Sequence, residues 1–540
     1  MQDTAKFKGD GPKRKLLNLL LVLLTFIVIA SPIFLFCYQT SDFSYLITSS
    51  IFAIPVAFLV SSIKNKPLFI SLFSILLICS LIELVMVKGF HSYIISGNIL
   101  ALLTTTSEES ASFAKNNLVM LLYFLPVIVV FGVAILCHSK FKVDRRIQLI
   151  GFAASLLLAS GYITYKQVIF YHGTLTNKYY FEKNILTRPP YNIFFQIRNV
   201  IKTQNMRKCI KEAEGFSFNA TRDIDVPCKE IYVLGIGESM GYGHISLNGQ
   251  YFRETTPRLG ALENLVSYSN YYSGACLTMF SVPQIVTRAT PDNYELNYKE
   301  KSIIQPFKEV GFKTFAVECG NLLGYETYLT NGVDSLIHVK KDIDIPDIID
   351  SLSSIYPKTF FVTEFLGCHS YYYNYEEAFD IYHPNINSEP NDKNDSLYIN
   401  AYDNTIQYAD YVLSEIIQRI DKPGVSSSLT FISDHGENLS PTGGGHGGDC
   451  NPKKTEYYVP LIVWYSKAYG KLFLDKVANL VEHKDSPVCC DNIFYSICDM
   501  AGIQIAEEYS NLDYSIFSSE WTEHKRFVLL PDGLSTIEVE

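Results

Sequence analysis

The sequence is short of charge, and of positive charge in particular. Only 19% of its 540 residues are charged, and 45 Lys and Arg against 55 Asp and Glu leave a formal charge of −10. A nucleic-acid-binding surface is normally basic, so no nucleic-acid partner is expected. Internal repeats and low-complexity tracts are also absent. What the chain has in excess is apolar residues, 48% hydrophobic and 14% aromatic, which excludes disorder. A mean hydropathy of +0.11 is high for a soluble protein. Most of the membrane-like sequence falls before residue 165. A fully soluble cytoplasmic enzyme is therefore excluded as well.

Five stretches are long and apolar enough to span a bilayer, which needs roughly 20 residues per helix. They are Leu16–Cys37, Tyr45–Ile63, Leu68–Val87, Leu118–Cys137 and Ile147–Thr164, and only the third contains a formal charge, Glu83. The N-terminal tail and the loops after spans two and four carry eleven Lys and Arg, against two, Lys88 and Lys115, on the other side. The basic side is cytoplasmic by the positive-inside rule. An odd number of spans then places everything after residue 165 outside the cytoplasm. Residues 165–225 are rich in aromatic and basic residues and contain the helix-breaking Arg188-Pro189-Pro190, and they read equally as a headgroup-level segment or a packed linker. Of the 12 cysteines, nine fall in the exported part, where an oxidising compartment favours disulfides whose pairing the spacing leaves open.

From residue 229 short β-rich apolar runs alternate with longer helical ones. The runs are Glu230–Gly235, Lys313–Val317, Lys358–Thr363, Ser428–Ile432, Pro460–Trp464 and Arg526–Leu530. Near-continuous apolar strands separated by helices indicate an α/β sheet buried on both faces. Three strands run into polar residues: Glu238-Ser239, Glu364 to His369, and Ser433-Asp434-His435-Gly436-Glu437. Ligands of open α/β sheets bind beyond the carboxyl ends of the strands, so three such ends make a site. Glu238, Asp434 and His435, with His446 in a glycine-rich loop, offer oxygen and nitrogen donors that suit Zn²⁺, with Mn²⁺ less suited and Ca²⁺ or Mg²⁺ disfavoured. Taken alone, Asp434-His435 would be a loop ion pair and His446 a turn residue; Glu238 tips both toward ligation.

The segment from Ser273 to Pro283 offers a thiol and three hydroxyls ahead of a helix whose N-terminus favours an anion. A sulfatase nucleophile needs Pro two residues on and Arg four on. Cys276 is followed by Thr278 and Phe280, and Ser281 by Pro283 but Ile285, so neither fits.

At these residues the chain resembles the phosphoethanolamine transferases of Gram-negative inner membranes. Gly237-Glu238-Ser239 with Ser246-Leu247-Asn248-Gly249, Thr278-Met-Phe-Ser-Val-Pro283, and Ser433-Asp434-His435-Gly436-Glu437 match that family's motifs. The resemblance implies a five-helix transmembrane domain over residues 1–164, a connector over 165–225 and a periplasmic α/β domain of the alkaline-phosphatase/sulfatase kind over 226–540. It implies Glu238, Thr278, Asp434 and His435 as zinc ligands, for one tight ion with a second as an alternative, and Thr278 as the phosphorylated nucleophile. It places His369 and His446 beside the phosphoryl group and Glu109, or its neighbour Glu108, on the ethanolamine. Phosphatidylethanolamine would be the donor, a lipid A phosphate or core sugar the acceptor, polymyxin resistance a consequence, and the enzyme a monomer among membrane lipids. Two features depart from the pattern. Lipid A-modifying members often place cysteines four residues before and six after the nucleophile, where this chain has Gly274 and Gln284, and a basic residue of some members has no counterpart in Asn321-Leu-Leu-Gly-Tyr-Glu326. The Thr287-Arg-Ala-Thr-Pro291 run looks more like core- or glucan-modifying branches. The rival readings are a periplasmic-glucan modifier, a phosphoglycerol transferase of the lipoteichoic-acid type, and an inactive membrane scaffold.

Overall fold

The computed structural model describes residues 11–40, 43–90, 92–96, 98–99, 121–140, 144–165, 185–209, 215–319, 332–369, 372, 375–388, 395–439, 445–447, 452–533 and 535–540. The chain divides into two compact units, Met1–Lys202 and Thr203–Glu540.

The first unit is built on α1 (Gly11–Thr40), α2 (Phe43–Ser61), α3 (Lys66–Phe90), α4 (Leu121–Lys140) and α5 (Arg145–Thr164), and α6 (Asn192–Cys209) begins within it. Its core pairs small with large residues: Ala30, Ala53, Ala57 and Ala134 lie fully buried among Ile29, Ile33, Phe69 and Phe73. The outward faces are equally apolar, with Leu157, Leu158 and Ile150 at least 70% exposed. Such faces suit hydrocarbon rather than water. Four of the helices are long and apolar enough to cross a membrane, whereas the apolar part of α2, Tyr45–Ser61, is shorter. The five expected spans thus overlap five apolar helices, four of them of spanning length among the described residues. Glu83 is 2% exposed and is matched by polar partners: its carboxylate accepts from the Ile94 N–H at 2.9 Å and from Asn192 Nδ2 at 2.8 Å. A buried acid in an apolar bundle needs such partners.

The second unit is centred on a seven-stranded sheet. Its strands are β1 (Glu230–Gly237), β2 (Leu265–Tyr268), β4 (Lys313–Cys319), β5 (Ser335–Val339), β6 (Lys358–Glu364), β7 (Ser426–Ser433) and β8 (Leu461–Tyr465), in spatial order β2-β8-β7-β1-β6-β4-β5. Neighbours pair in parallel except at β8, which runs antiparallel to both β7 and β2. Two-residue strands β3 (Tyr271–Tyr272) and β9 (Val488–Cys489) pair beside it. The last expected run, Arg526–Leu530, leaves the sheet: β10 (Arg526–Leu529) forms a hairpin with β11 (Thr536–Val539). The reason is that Arg526 anchors elsewhere, donating to Asn270 Oδ1 at 2.7 Å and lying 3.9 Å over the Tyr272 ring.

Strand parity sets up the site. On β1, Tyr232, Leu234 and Ile236 enter a core with α7 (Thr278–Val286) and a later helix, Ile493–Met500, while Ile231 and Val233 enter the opposite core under Ile345–Ile355 and Asp395–Ile420. On β7, Ile432 joins the first core and Phe431 the second. Side chains alternate along a strand. Glu238, two residues past Ile236, and Asp434, two past Ile432, therefore emerge on the α7 side.

Candidate metal centre

The turn after β1 places Ser239 at φ 59°, a left-handed conformation uncommon for a residue with a side chain and typical of functional sites. It aims the Ser239 N–H at Asp434 Oδ1 (3.0 Å), which also accepts from the His435 N–H (2.7 Å). Ser239 Oγ donates to Glu238 Oε1 at 2.6 Å. Both carboxylates are thereby fixed, and Asp434 Oδ2 is left buried with no hydrogen-bond partner among the described residues.

His435 completes the centre. Its Nδ1 lies 2.9 Å from the Gly436 carbonyl, which can only accept, so Nδ1 carries the proton and Nε2 turns a lone pair inward. That Nε2 stands 3.4 Å from Asp434 Oδ2 and 3.5 Å from Glu238 Oε1. Three electron-rich atoms face one another in a buried pocket, an arrangement that calls for a cation between them. Glu238, His435 and His446 bring ligand atoms within 4.8 Å of one another, a group able to hold a metal ion. The donor set and the orphaned Asp434 oxygen fit the zinc expected from sequence.

Electrostatics agree. Burial pushes the Asp434 carboxyl well above its usual range, and Glu238 adds to the rise. Burial would raise Glu238 too, but His435, His369 and His446 outweigh it and hold the group below its usual value. Burial, helped by His446, lowers His435 to about 3, leaving a neutral imidazole suited to ligation. His446 is opposed by burial yet raised to about 9, because Glu437 sits against it, Oε2 to Nδ1 at 3.2 Å.

Thr278 opens α7 and is half-buried. Its Oγ1 lies 3.1 Å from His435 Nε2 and 3.3 Å from Glu238 Oε2. The rival nucleophiles point away. Ser281 is inside the first turn, because the helix begins at Thr278 behind Leu277, and its hydroxyl bonds back to the Leu277 carbonyl at 3.1 Å. Cys276 is 1% exposed, and burial, with Glu456, pushes its thiol well up.

The centre thus brings together Glu238, Thr278, Asp434, His435 and His446. His369 follows at the end of the turn that wraps the Glu238 backbone, where Cys368 N–H donates to the Glu238 carbonyl at 3.1 Å. Glu108, Glu109 and Asn321–Glu326 lie outside the described residues. The ten described cysteines are all free, so the expected disulfides do not form among them. Sequence reasoning missed Glu456. This buried glutamate accepts from the N–H groups of Gly447 (2.9 Å) and Lys453 (3.1 Å), and its own carbonyl accepts from Gly436 N–H (2.9 Å), linking the two histidine loops. A lone Glu in a polar run carries no signal of that role.

Residues 230–503 match the sulfatase family. The chain belongs to that family. It does so without a Cys/Ser-x-Pro-x-Arg segment, and Thr278 stands at the start of α7. Among curated proteins the chain is 26% identical over 322 residues to the phosphoethanolamine transferase EptC of Escherichia coli (strain K12), covering 55% of this chain and 54% of that protein. The chain spans about half the length of the curated relatives it matches. Among solved structures, the integral membrane lipooligosaccharide phosphoethanolamine transferase A (EptA) of Neisseria meningitidis superposes with a TM-score of 0.71 at 19% identity, over 92% of this chain and 98% of that one. The C-terminal periplasmic domain of Escherichia coli EptC, solved in complex with Zn, gives 0.53 at 23% identity, over 59% of this chain and 95% of that domain. These likenesses establish the fold, a set of apolar N-terminal helices followed by an α/β sulfatase-like domain.

Proposed function

We propose that the protein is a zinc-dependent phosphoethanolamine transferase of a bacterial inner membrane, with its N-terminus cytoplasmic and its α/β domain periplasmic. It moves phosphoethanolamine from phosphatidylethanolamine to a lipopolysaccharide component through a phosphothreonine. The observation that carries this reading is the Thr278 hydroxyl, 3.1 Å from His435 Nε2 and 3.3 Å from Glu238 Oε2 at a helix start. A hydroxyl so placed is a nucleophile beside its activating groups. The relatives named as phosphoethanolamine transferases supply the transferred group.

Glu238, Asp434 and His435 would hold the zinc, with Thr278 or His446 completing the set. Bound zinc supplies a Lewis acid that lowers the pKa of a coordinated hydroxyl and polarises a phosphoryl oxygen. Thr278 Oγ1 attacks the phosphorus of the donor, its proton leaves toward Glu238 Oε2, 3.3 Å away, and diacylglycerol departs as its oxygen takes up a proton. The Thr278 and Met279 N–H groups, at the first turn of α7, face the transferring phosphoryl group. His446, held by Glu437, and His369 move protons between leaving group and acceptor. The acceptor oxygen then attacks the phosphothreonine and regenerates Thr278. Membrane anchoring raises the effective concentration of a lipid donor.

Mass spectrometry of lipids and lipopolysaccharide from cells with and without the protein tests the reading. A glycolipid heavier by one phosphoethanolamine, absent with Thr278→Ala, is the expected result and names the acceptor. A gain of glycerol phosphate, or a gain on a soluble glucan alone, would overturn the donor or the acceptor.

A further inference from the structure

The N-terminal unit holds an arginine whose charge no carboxylate matches among the described residues. Arg188 lies just ahead of α6, half-buried. Its Nη1 donates to Thr48 Oγ1 at 2.6 Å and to Ser49 Oγ at 3.1 Å, both on α2. The Thr48 hydroxyl gives its own proton to the Tyr45 carbonyl (3.1 Å), so a lone pair faces the guanidinium. The Tyr45 ring lies 4.3 Å from Cζ, and it is backed by Tyr93 and Phe36 in a run of stacked rings. Two hydroxyls and an aromatic face fix the plane of the guanidinium, and all three are neutral.

Arginine stays charged at any accessible pH. A half-buried cation in an apolar bundle requires an anion, and Glu83 on α3 does not supply it: its two oxygens accept from Ile94 and Asn192. The N–H groups of Nε and Nη2, which make none of these bonds, form the fork that grips two oxygens of a phosphate. The surface beside it is apolar, which suits a lipid neighbour. Ile47, next to Thr48 near the start of α2, is 66% exposed, and Tyr38, near the end of α1, is 82% exposed; both helix ends lie on the side that the basic loops leave outside.

We propose that Arg188, oriented by Thr48, Ser49 and Tyr45, binds the phosphodiester of a glycerophospholipid in the outer leaflet. The proposal rests on the membrane placement given above and not on phosphoethanolamine transfer. The phosphodiester has two sources, a donor lipid held for transfer or a lipid bound as a fixed part of the bundle.

The test is native mass spectrometry of the full chain in detergent, titrated with phosphatidylethanolamine, phosphatidylglycerol or diacylglycerol. The wild type should retain both phospholipids and bind diacylglycerol at least tenfold more weakly. Arg188→Gln should weaken both phospholipids tenfold or more, Arg188→Lys less, and Arg145→Gln not at all. Should Arg188→Gln unfold, the Thr48→Val, Ser49→Ala pair removes the socket while leaving the charge, with a loss of several-fold expected. Equal binding of diacylglycerol, or undiminished phospholipid binding by a folded Arg188→Gln or socket variant, would overturn the proposal. Transfer assays separate the sources: a raised KM for phosphatidylethanolamine in Arg188→Gln marks the donor, and an unchanged KM with lost adducts marks a fixed lipid.

Discussion

Gln284 is tied to Gly274 across the segment that carries Thr278: its Nε2 donates to the Gly274 carbonyl at 3.3 Å and to the Phe280 carbonyl at 2.9 Å. Cys490 Sγ donates to Gln284 Oε1 at 3.4 Å. These are the two positions where the resemblance to lipid A-modifying enzymes would place a disulfide, and here a side-chain amide makes the link. Gly274 is required by the close approach, since a Cβ there would overlap both Gln284 Oε1 and Cys490 Sγ.

Replacing Gln284 by Ala should therefore loosen the nucleophile segment. Loss of a fully buried amide and its bonds costs about 1–3 kcal/mol, read as a fall in melting temperature together with slower transfer. Gly274→Ala should cost a similar ~1–3 kcal/mol through overpacking. Melting and turnover both unchanged in Gln284→Ala would show that the link does not position Thr278.

The metal centre predicts a composition. Elemental analysis of the purified protein after mild dialysis should find zinc, and an Asp434→Ala, His435→Ala double variant should lose it. Zinc content that stays the same in the double variant would remove the basis for the site.

His446 allows the ligand set to be sharpened by pH. In the metal-free protein its pKa is raised from 6.5 to about 9, burial opposing and Glu437 prevailing. The sign follows: the His446–Glu437 pair stabilises the metal-free fold fully below about 6.5 and is lost as pH rises through about 9. Ligation requires the neutral ring. If His446 is a ligand, zinc affinity should climb about tenfold per pH unit between pH 7 and 9. A flat profile, measured by competition with a chelator, would leave His446 outside the coordination shell as a proton carrier.

The loop acids give a weaker handle, but a direct one. If Glu109 or Glu108 holds the ethanolamine ammonium, the Glu108→Gln, Glu109→Gln double variant should transfer poorly while binding zinc normally. Full activity at matched expression would end that role.

How much of this was legible beforehand follows from which forces act locally. The N-terminal helices announced themselves because they are apolar on every face, and the strands β1, β4, β6 and β7 because they are buried on both faces. Glu238 and Asp434 could be read off because strand ends and alternation are local properties. Edge strands were not legible: β5 carries Ser335 and His338 with mostly half-buried positions, and β2 has four residues. The antiparallel turn of β8 was equally hidden, since register depends on partners distant in sequence. In the site, the Glu437–His446 and Glu456–Gly447 bonds join loops whose glycines permit many paths, so spacing alone could not pair them.

The nucleophile is where structure most narrows what sequence left open. Sequence spacing admitted Thr278, Ser281 and Cys276. The Ser281 hydroxyl is turned back to the Leu277 carbonyl and is fully buried, and the Cys276 thiol is buried and held protonated. Only the Thr278 hydroxyl meets both His435 and Glu238. Thr278→Ala should abolish transfer, whereas Cys276→Ala and Ser281→Ala should retain much of it. Thr278→Ser should keep partial activity, since the attacking oxygen survives but the methyl that restricts its rotamer is gone. Incubating the enzyme with donor lipid and no acceptor should trap the intermediate, and peptide mass spectrometry should find phosphoethanolamine on Thr278. An adduct on Ser281 or Cys276 would overturn the assignment, because both would have to leave their present hydrogen bonds and burial to reach the donor.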